Sequence, residues 1–323
     1  MSTPLAAVES PAPGLRGSRM DRAFALAMAA AAAIVMLALA GAAASMLWGG
    51  REAFETFGWA FFTGDTWDPG ARIFGALVAI AGTLTTAAIA LVIAVPISFG
   101  IALFLTEVAP PWLRTPVGMA IELLAGIPSI IYGMWGLFVL APLLGEHVYP
   151  WLNDHAGALP WIGTLFQGPP LGIGKLTAGL VLAVMVVPFT ASVMREVFLT
   201  VPARLKESAY ALGCTRWEVV WDIVLPYTRG AVIGGIFLGL GRALGETMAV
   251  TFVIGNAYSV SASLLDPGTS IASAIANEFA EAIDPLHRSS LLGLGFVLFL
   301  ITFVVLVASR LLLRQLRRRE GSA

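Results

Sequence analysis

The 323-residue chain is 58% hydrophobic and only 12% charged, with a formal net charge of −1. Soluble domains carry about a quarter charged residues, so a water-soluble globular domain is excluded, no nucleic-acid partner is expected, and the chain reads as an all-α polytopic membrane protein. One cysteine, Cys214, leaves no internal disulfide and no cysteine metal cluster.

Residues 1–22 form an N-terminal tail carrying Arg16, Arg19 and Arg22. Six apolar blocks follow, at 23–48, 74–105, 117–143, 174–198, 228–254 and 287–310. Each is long enough to cross the ~30 Å hydrocarbon core of a bilayer. They place a transmembrane domain over 23–310 and a basic tail over 311–323. "GAAAS" at 41–45 faintly resembles a signal cleavage site. The apolar run is longer than the roughly 7–15 residues of a secretory signal, which predicts an uncleaved anchor.

The second block contains "GTLTTA", 82–87. Its threonines Thr83, Thr85 and Thr86 either bond their own backbone or line a path, and Thr86 is the candidate lining residue. In the third block, "AGIPSIIYG" puts Pro128 between Gly126 and Ser129. A proline there frees a carbonyl that only protein or a cavity can satisfy, so the break is either a packing kink or a constriction lined by Ser129. Glu107 and Glu122, at span ends, read as ordinary interfacial acids. The loop 144–173, with Tyr149, Trp151 and Trp161, reads as an external interfacial cap. His147, His155 and His287 show no ligand pattern and read as external and solvated.

Arginine and lysine concentrate in both tails and in the second and fourth connections. By the positive-inside rule both termini face the cytoplasm. The fourth connection, 199–227, is the most heavily written. Pro202 suits a helix's first turn, Gly213 supplies a left-handed stop, and "TRWE" at 215–218 forms a capping box. A second short helix then runs to Pro226, which cannot donate an interior helical hydrogen bond. Two readings fit these residues: an amphipathic connector lying in the lipid headgroups with Trp217 and Trp221 as anchors, or a docking element for a cytosolic partner.

"E-S-A-x-x-x-G", then nine residues and "I-V-L-P", resembles the E-A-A-x-x-x-G-x(9)-I-x-L-P signature of ATP-binding-cassette importer permeases. Glu207, Ser208, Ala209, Gly213, Ile223, Leu225 and Pro226 occupy its typed positions, with Ser208 in place of the central alanine. "ELLAGIPSIIYGMWGLF", "VVPFTASVMREVF", "LPYTRGAVIGGI", "GRALGETMAVTFVIGN" and "PGTSIASAIANEFAEA" extend the likeness over about 70–310. Together they look like a permease of the phosphate-specific importers. The resemblance implies a type I importer permease (MetI-like) fold of six transmembrane helices. It implies that the Glu207–Pro226 signature couples to an ATPase. The implied partners are a second permease subunit in a heterodimer, two copies of an ATP-binding subunit, and an extracytoplasmic phosphate-binding protein, with membrane lipid around them. No phosphate-binding loop is present, since "GIGKLT" at 172–177 lacks the first glycine and the Ser/Thr after lysine. The chain is therefore a transport subunit without a cofactor of its own, and ATP and Mg belong to the partner ATPase.

The fifth block carries Arg242 and Glu246, four residues apart, with Thr247 beside them. An arginine stays protonated and costs about 2.5–3.5 kcal/mol at a helix centre on insertion scales. On one continuous helix the two side chains share a face with Gly235, Gly239 and Ala249. The pair is either a structural bridge or an anion-binding charge whose counter-ion, Glu246, a passing phosphate displaces. Arg242, Glu246, Thr247, Ser129 and Thr86 are the expected pathway residues for a phosphate path worked by alternating access. Two other functions stay open: a permease for another oxyanion such as sulfate, and an ion-coupled secondary transporter with Glu246 carrying protons.

Overall fold

The computed structural model describes the backbone of residues 19–320 and the side chains of 20–315. Most of the tail expected over 1–22, with Arg16, lies outside the described residues, as do the side chains of Arg19, Arg317, Arg318 and Arg319. The chain divides into a unit ending at Trp48 and a second beginning at Gly49. The first is a single apolar helix, α1 (Arg19–Gly49), with Phe24, Ile34 and Leu37 exposed along it.

The second unit opens with two short helices, α2 (Arg51–Phe57) and α3 (Ala60–Thr63), and a small antiparallel hairpin. The hairpin pairs β1 (Trp67–Asp68) with β2 (Ile73–Phe74). Long helices α4 (Leu77–Val108), α6 (Ser129–His155), α7 (Lys175–Leu199) and α9 (Arg216–Leu244) follow. Between them lie α5 (Pro111–Ala125) and α8 (Ala203–Ala211). The chain ends with α10 (Met248–Thr251), α11 (Ile271–Glu278) and the long α12 (Pro285–Glu320). Among the described residues, six helices are long and apolar enough to cross a membrane.

Two span boundaries differ from the apolar blocks. The third span is Ser129–His155 rather than 117–143, because Gly126 closes α5 and Pro128, in an extended conformation, starts a new helix. The external cap expected from 144 is therefore helical to His155. The fifth span is Arg216–Leu244 rather than 228–254. Pro226 does not end the second short helix, since Val220–Val224 winds as a wide π turn and the helix continues through the proline to a stop at Gly245. The expected basic tail is also helical as far as Glu320, in keeping with its Leu, Arg and Gln content.

α7 is the central helix, packed against α4, α9, α5 and α6. Val181, Leu182, Met185 and Val186 fill its core face against Ala87, Ala90 and Ala94 of α4 and Leu244 and Val250 beyond. Alanines at that spacing let the two backbones approach closely. At the end that carries α2, α3 and the hairpin, Phe61, Phe74, Trp67, Leu286 and Leu291 form a second core. Glu278 organises its edge, accepting from Trp67 Nε1 (2.8 Å), Tyr258 Oη (2.5 Å) and pairing with His287 Nε2 (2.8 Å). His287 is thus not solvated: it is 8% exposed and stacked on Phe74. Spacing could not reveal this, because the carboxylate sits on the preceding helix. His147 and His155 are exposed, as expected.

Candidate functional site

The last turn of α9 holds Arg242, and Gly245 then breaks the helix. The break lies deep in the bundle. Arg242 sits over the Phe189 ring, 5.4 Å from its centroid, and Phe189 is 14 residues into α7 and ten from its end (189 − 175 and 199 − 189). A cation over an aromatic face gains about 0.5–2 kcal/mol, and the C-terminal end of a helix adds favourable partial negative charge. Arg242 Nε is buried without a hydrogen-bond partner. The Tyr132 phenol of α6 lies within Coulombic reach of the guanidinium.

Glu246 does not share that helix face. The chain leaves helical geometry at 245–247, and the Glu246 carboxylate turns forward to accept from the Ala249 amide at 3.2 Å, in the first turn of α10. Among the described residues no ion pair joins Arg242 to Glu246. A carboxylate just before a helix start finds free N–H groups there, and the break supplies that start. Thr247 is half-buried, and its carbonyl takes the Thr251 amide (3.0 Å) and hydroxyl (2.8 Å). α10 packs on the first turns of α6, whose first residue is the half-buried Ser129. The two helix breaks thus adjoin through the packing of α10 on the start of α6, with Glu246 and Thr247 at one, Ser129 at the other, and Arg242 against α7.

Thr86 does not join them. It is 2% exposed, and its hydroxyl donates to Gly82 O at 2.9 Å. Thr83 does the same to Ala79 O and also accepts from the Ile271 amide, tying α4 to the start of α11. The glycine face of α9 is not an open lining either. A Cβ on Gly239 would stand 2.8 Å from Thr190 Oγ1, so glycine there permits the close approach of α7. Phe189 and Thr190 carry no local spacing signal, and reading the sequence for helical faces passes over both.

The connection 199–227 folds largely as its local chemistry dictates. α8 ends at Gly213 with φ +91°. Thr215 N donates to Glu218 Oε2 (2.7 Å) and Glu218 N to Thr215 Oγ1 (3.3 Å). The signature residues divide by direction: Ala209 is buried, Ile223 and Leu225 are half-buried, and Glu207, Ser208, Gly213 and Pro226 face outward. Glu107 is not an ordinary interfacial acid. Its side chain is 6% exposed and pairs with Lys206 of α8 at 2.5 Å. Glu122 pairs with Arg195 at 3.0 Å. An open groove of about 530 Å³, bordered by Thr106, Arg114, Lys206, Glu207, Tyr210 and Arg216, lies beside the first pair.

The family model described as "Binding-protein-dependent transport system inner membrane component" matches residues 94–319. The phosphate transport system permease protein PstC of Xylella fastidiosa (strain 9a5c) is 64% identical over the whole of both chains. Its namesake from Mesorhizobium japonicum is 52% identical over 98% of this chain and 100% of its own. A chain of a bacterial alginate ABC transporter, solved with an alginate pentasaccharide-bound periplasmic protein, superposes with TM-score 0.58 at 18% identity, covering 90% of this chain and 94% of its own.

Proposed function

Since the chain belongs to the family of binding-protein-dependent transport system inner membrane components, a multi-pass inner-membrane permease family, we propose that it forms half of the path by which an ATP-driven importer carries inorganic phosphate across the membrane. The observation that carries the substrate is Arg242. It is a permanent cation in the last turn of α9, set against the middle of α7 and held by an aromatic face instead of a carboxylate, with one buried N–H unpartnered. A guanidinium fork matches phosphate oxygens bidentately, and a ring is a weaker competitor for it than a carboxylate. The removable counter-ion expected at Glu246 is thus replaced in this proposal by the Phe189 ring. Glu246 keeps the break beside it in shape.

The exposed signature residues of α8 and the following turn would meet an ATPase, two copies of which serve the complex, and ATP and Mg stay with them. A second permease subunit would supply the other half of the path, and a phosphate-binding protein would deliver the ion outside. Both termini would face the cytoplasm, on the side of the Arg-rich connections. ATPase closure would drive alternating access. The test is ATP-dependent uptake of phosphate against sulfate in vesicles holding the chain with its companions. Arg242→Gln should lower phosphate uptake by roughly 100-fold, about 2.7 kcal/mol, the scale of a lost charge-assisted hydrogen bond, with assembly intact. Uptake that ignores ATP and follows a proton gradient would overturn the reading.

A further inference from the structure

Among the described residues, two buried side-chain polar atoms lack a hydrogen-bond partner: Arg242 Nε and Thr190 Oγ1. They border one seam. Thr190 lies against α9 at Gly239, one helical turn before Arg242, and Arg242 covers Phe189, the residue before Thr190. Thr190 is 0% exposed. Its state is unusual for this chain, because Thr83, Thr86, Thr106, Thr228 and Thr302 each donate to a carbonyl four residues earlier on the same helix. A buried hydroxyl left without a partner is destabilising, and valine would fill the same volume without that cost.

We propose that Thr190 is a further ligand of the translocated oxyanion. Its hydroxyl and Arg242 Nε are satisfied together only when the ion enters the α7–α9 seam. The inference rests on the reading of Arg242 as the path's cation and adds a second helix to the binding site. Gly239 makes the arrangement workable, since α9 presents no side chain there and a small sliding of α9 along α7 uncovers the hydroxyl.

The substitutions separate a ligand from a packing residue by the order of their effects. In vesicles holding the full complex, Thr190→Val should cut ATP-dependent phosphate uptake roughly tenfold or more, the scale of one hydrogen bond to a charged group. The same complex should assemble and melt no earlier than the parent. Thr190→Ser, which keeps the hydroxyl but loses a methyl, should retain most uptake. A packing role predicts the opposite order, with valine tolerated and serine damaging. Normal uptake by T190V, T190S as impaired as T190V, or a T190V complex that melts earlier or fails to assemble would each overturn the proposal. If R242Q abolishes uptake while T190V does not, only the Thr190 inference falls. If R242Q transports normally, the reading of the path itself falls.

Discussion

Glu278 gathers three donors that are 211, 20 and 9 residues away in sequence, from the hairpin, a loop and the last helix. Removing the carboxylate strands all three, so Glu278→Ala should destabilise the folded protein by roughly 3 kcal/mol or more, read as a lower melting temperature of the purified chain. Burial, and then the Glu278 carboxylate that its hydroxyl donates to, push the Tyr258 phenol well above its ordinary 10.0. The folded protein thus keeps a proton that the unfolded chain loses. Stability that is present below pH 10 should fall as pH rises beyond it, and Tyr258→Phe should flatten that decline in alkaline melts. None of these contacts is legible from local spacing. His287 shows why: it looks like a solvated loop histidine until the fold brings Phe74 and Glu278 to it. Arg242, by contrast, stood out in the sequence because a permanent charge in an apolar block has few structural explanations.

At the level of elements, the local devices of the 199–227 connection were readable because each depends on neighbours a few residues apart. The capping box at Thr215 and Glu218 and the left-handed Gly213 are examples. Span boundaries were less readable, because apolar content runs on through Gly126–Pro128 and through Gly245, where helical geometry stops. Tertiary partners decided the rest: α7 fills the glycine face of α9, and α8 is fastened to the end of α4 by Lys206 and Glu107. Lys206→Met would leave the 6%-exposed Glu107 carboxylate uncompensated. Breaking a fully buried pair costs about 3–5 kcal/mol, and this part-buried one, which lines an open groove, should cost less. Lys206→Met/Glu107→Leu should recover most of that stability. If α8 works through this fastening, the double variant should still hydrolyse ATP in the complex while moving less phosphate per ATP. Equal transport per ATP would show that the pair serves stability alone.

For the whole molecule, composition and charge asymmetry were enough to read a helical, six-span membrane protein, since both are summed over hundreds of residues. Which helices touch is set by volumes and close approaches that no sum records. The sidedness has a direct check in the one cysteine, Cys214, half-buried in the turn between α8 and α9. A membrane-impermeant maleimide should label it in inside-out vesicles and not in intact cells, and labelling in intact cells would reverse the assigned orientation. Continuity of α9 carries one more consequence. From Arg216 to Arg242 the chain is a single rod, irregular only at the Val220–Val224 π turn. Its 26 residue-to-residue steps (242 − 216) span about 39 Å at ~1.5 Å each. Tilted about 10° around its midpoint, such a lever moves each tip by about 3 Å. A push at the capped end would reach the guanidinium as a step about one hydrogen bond long.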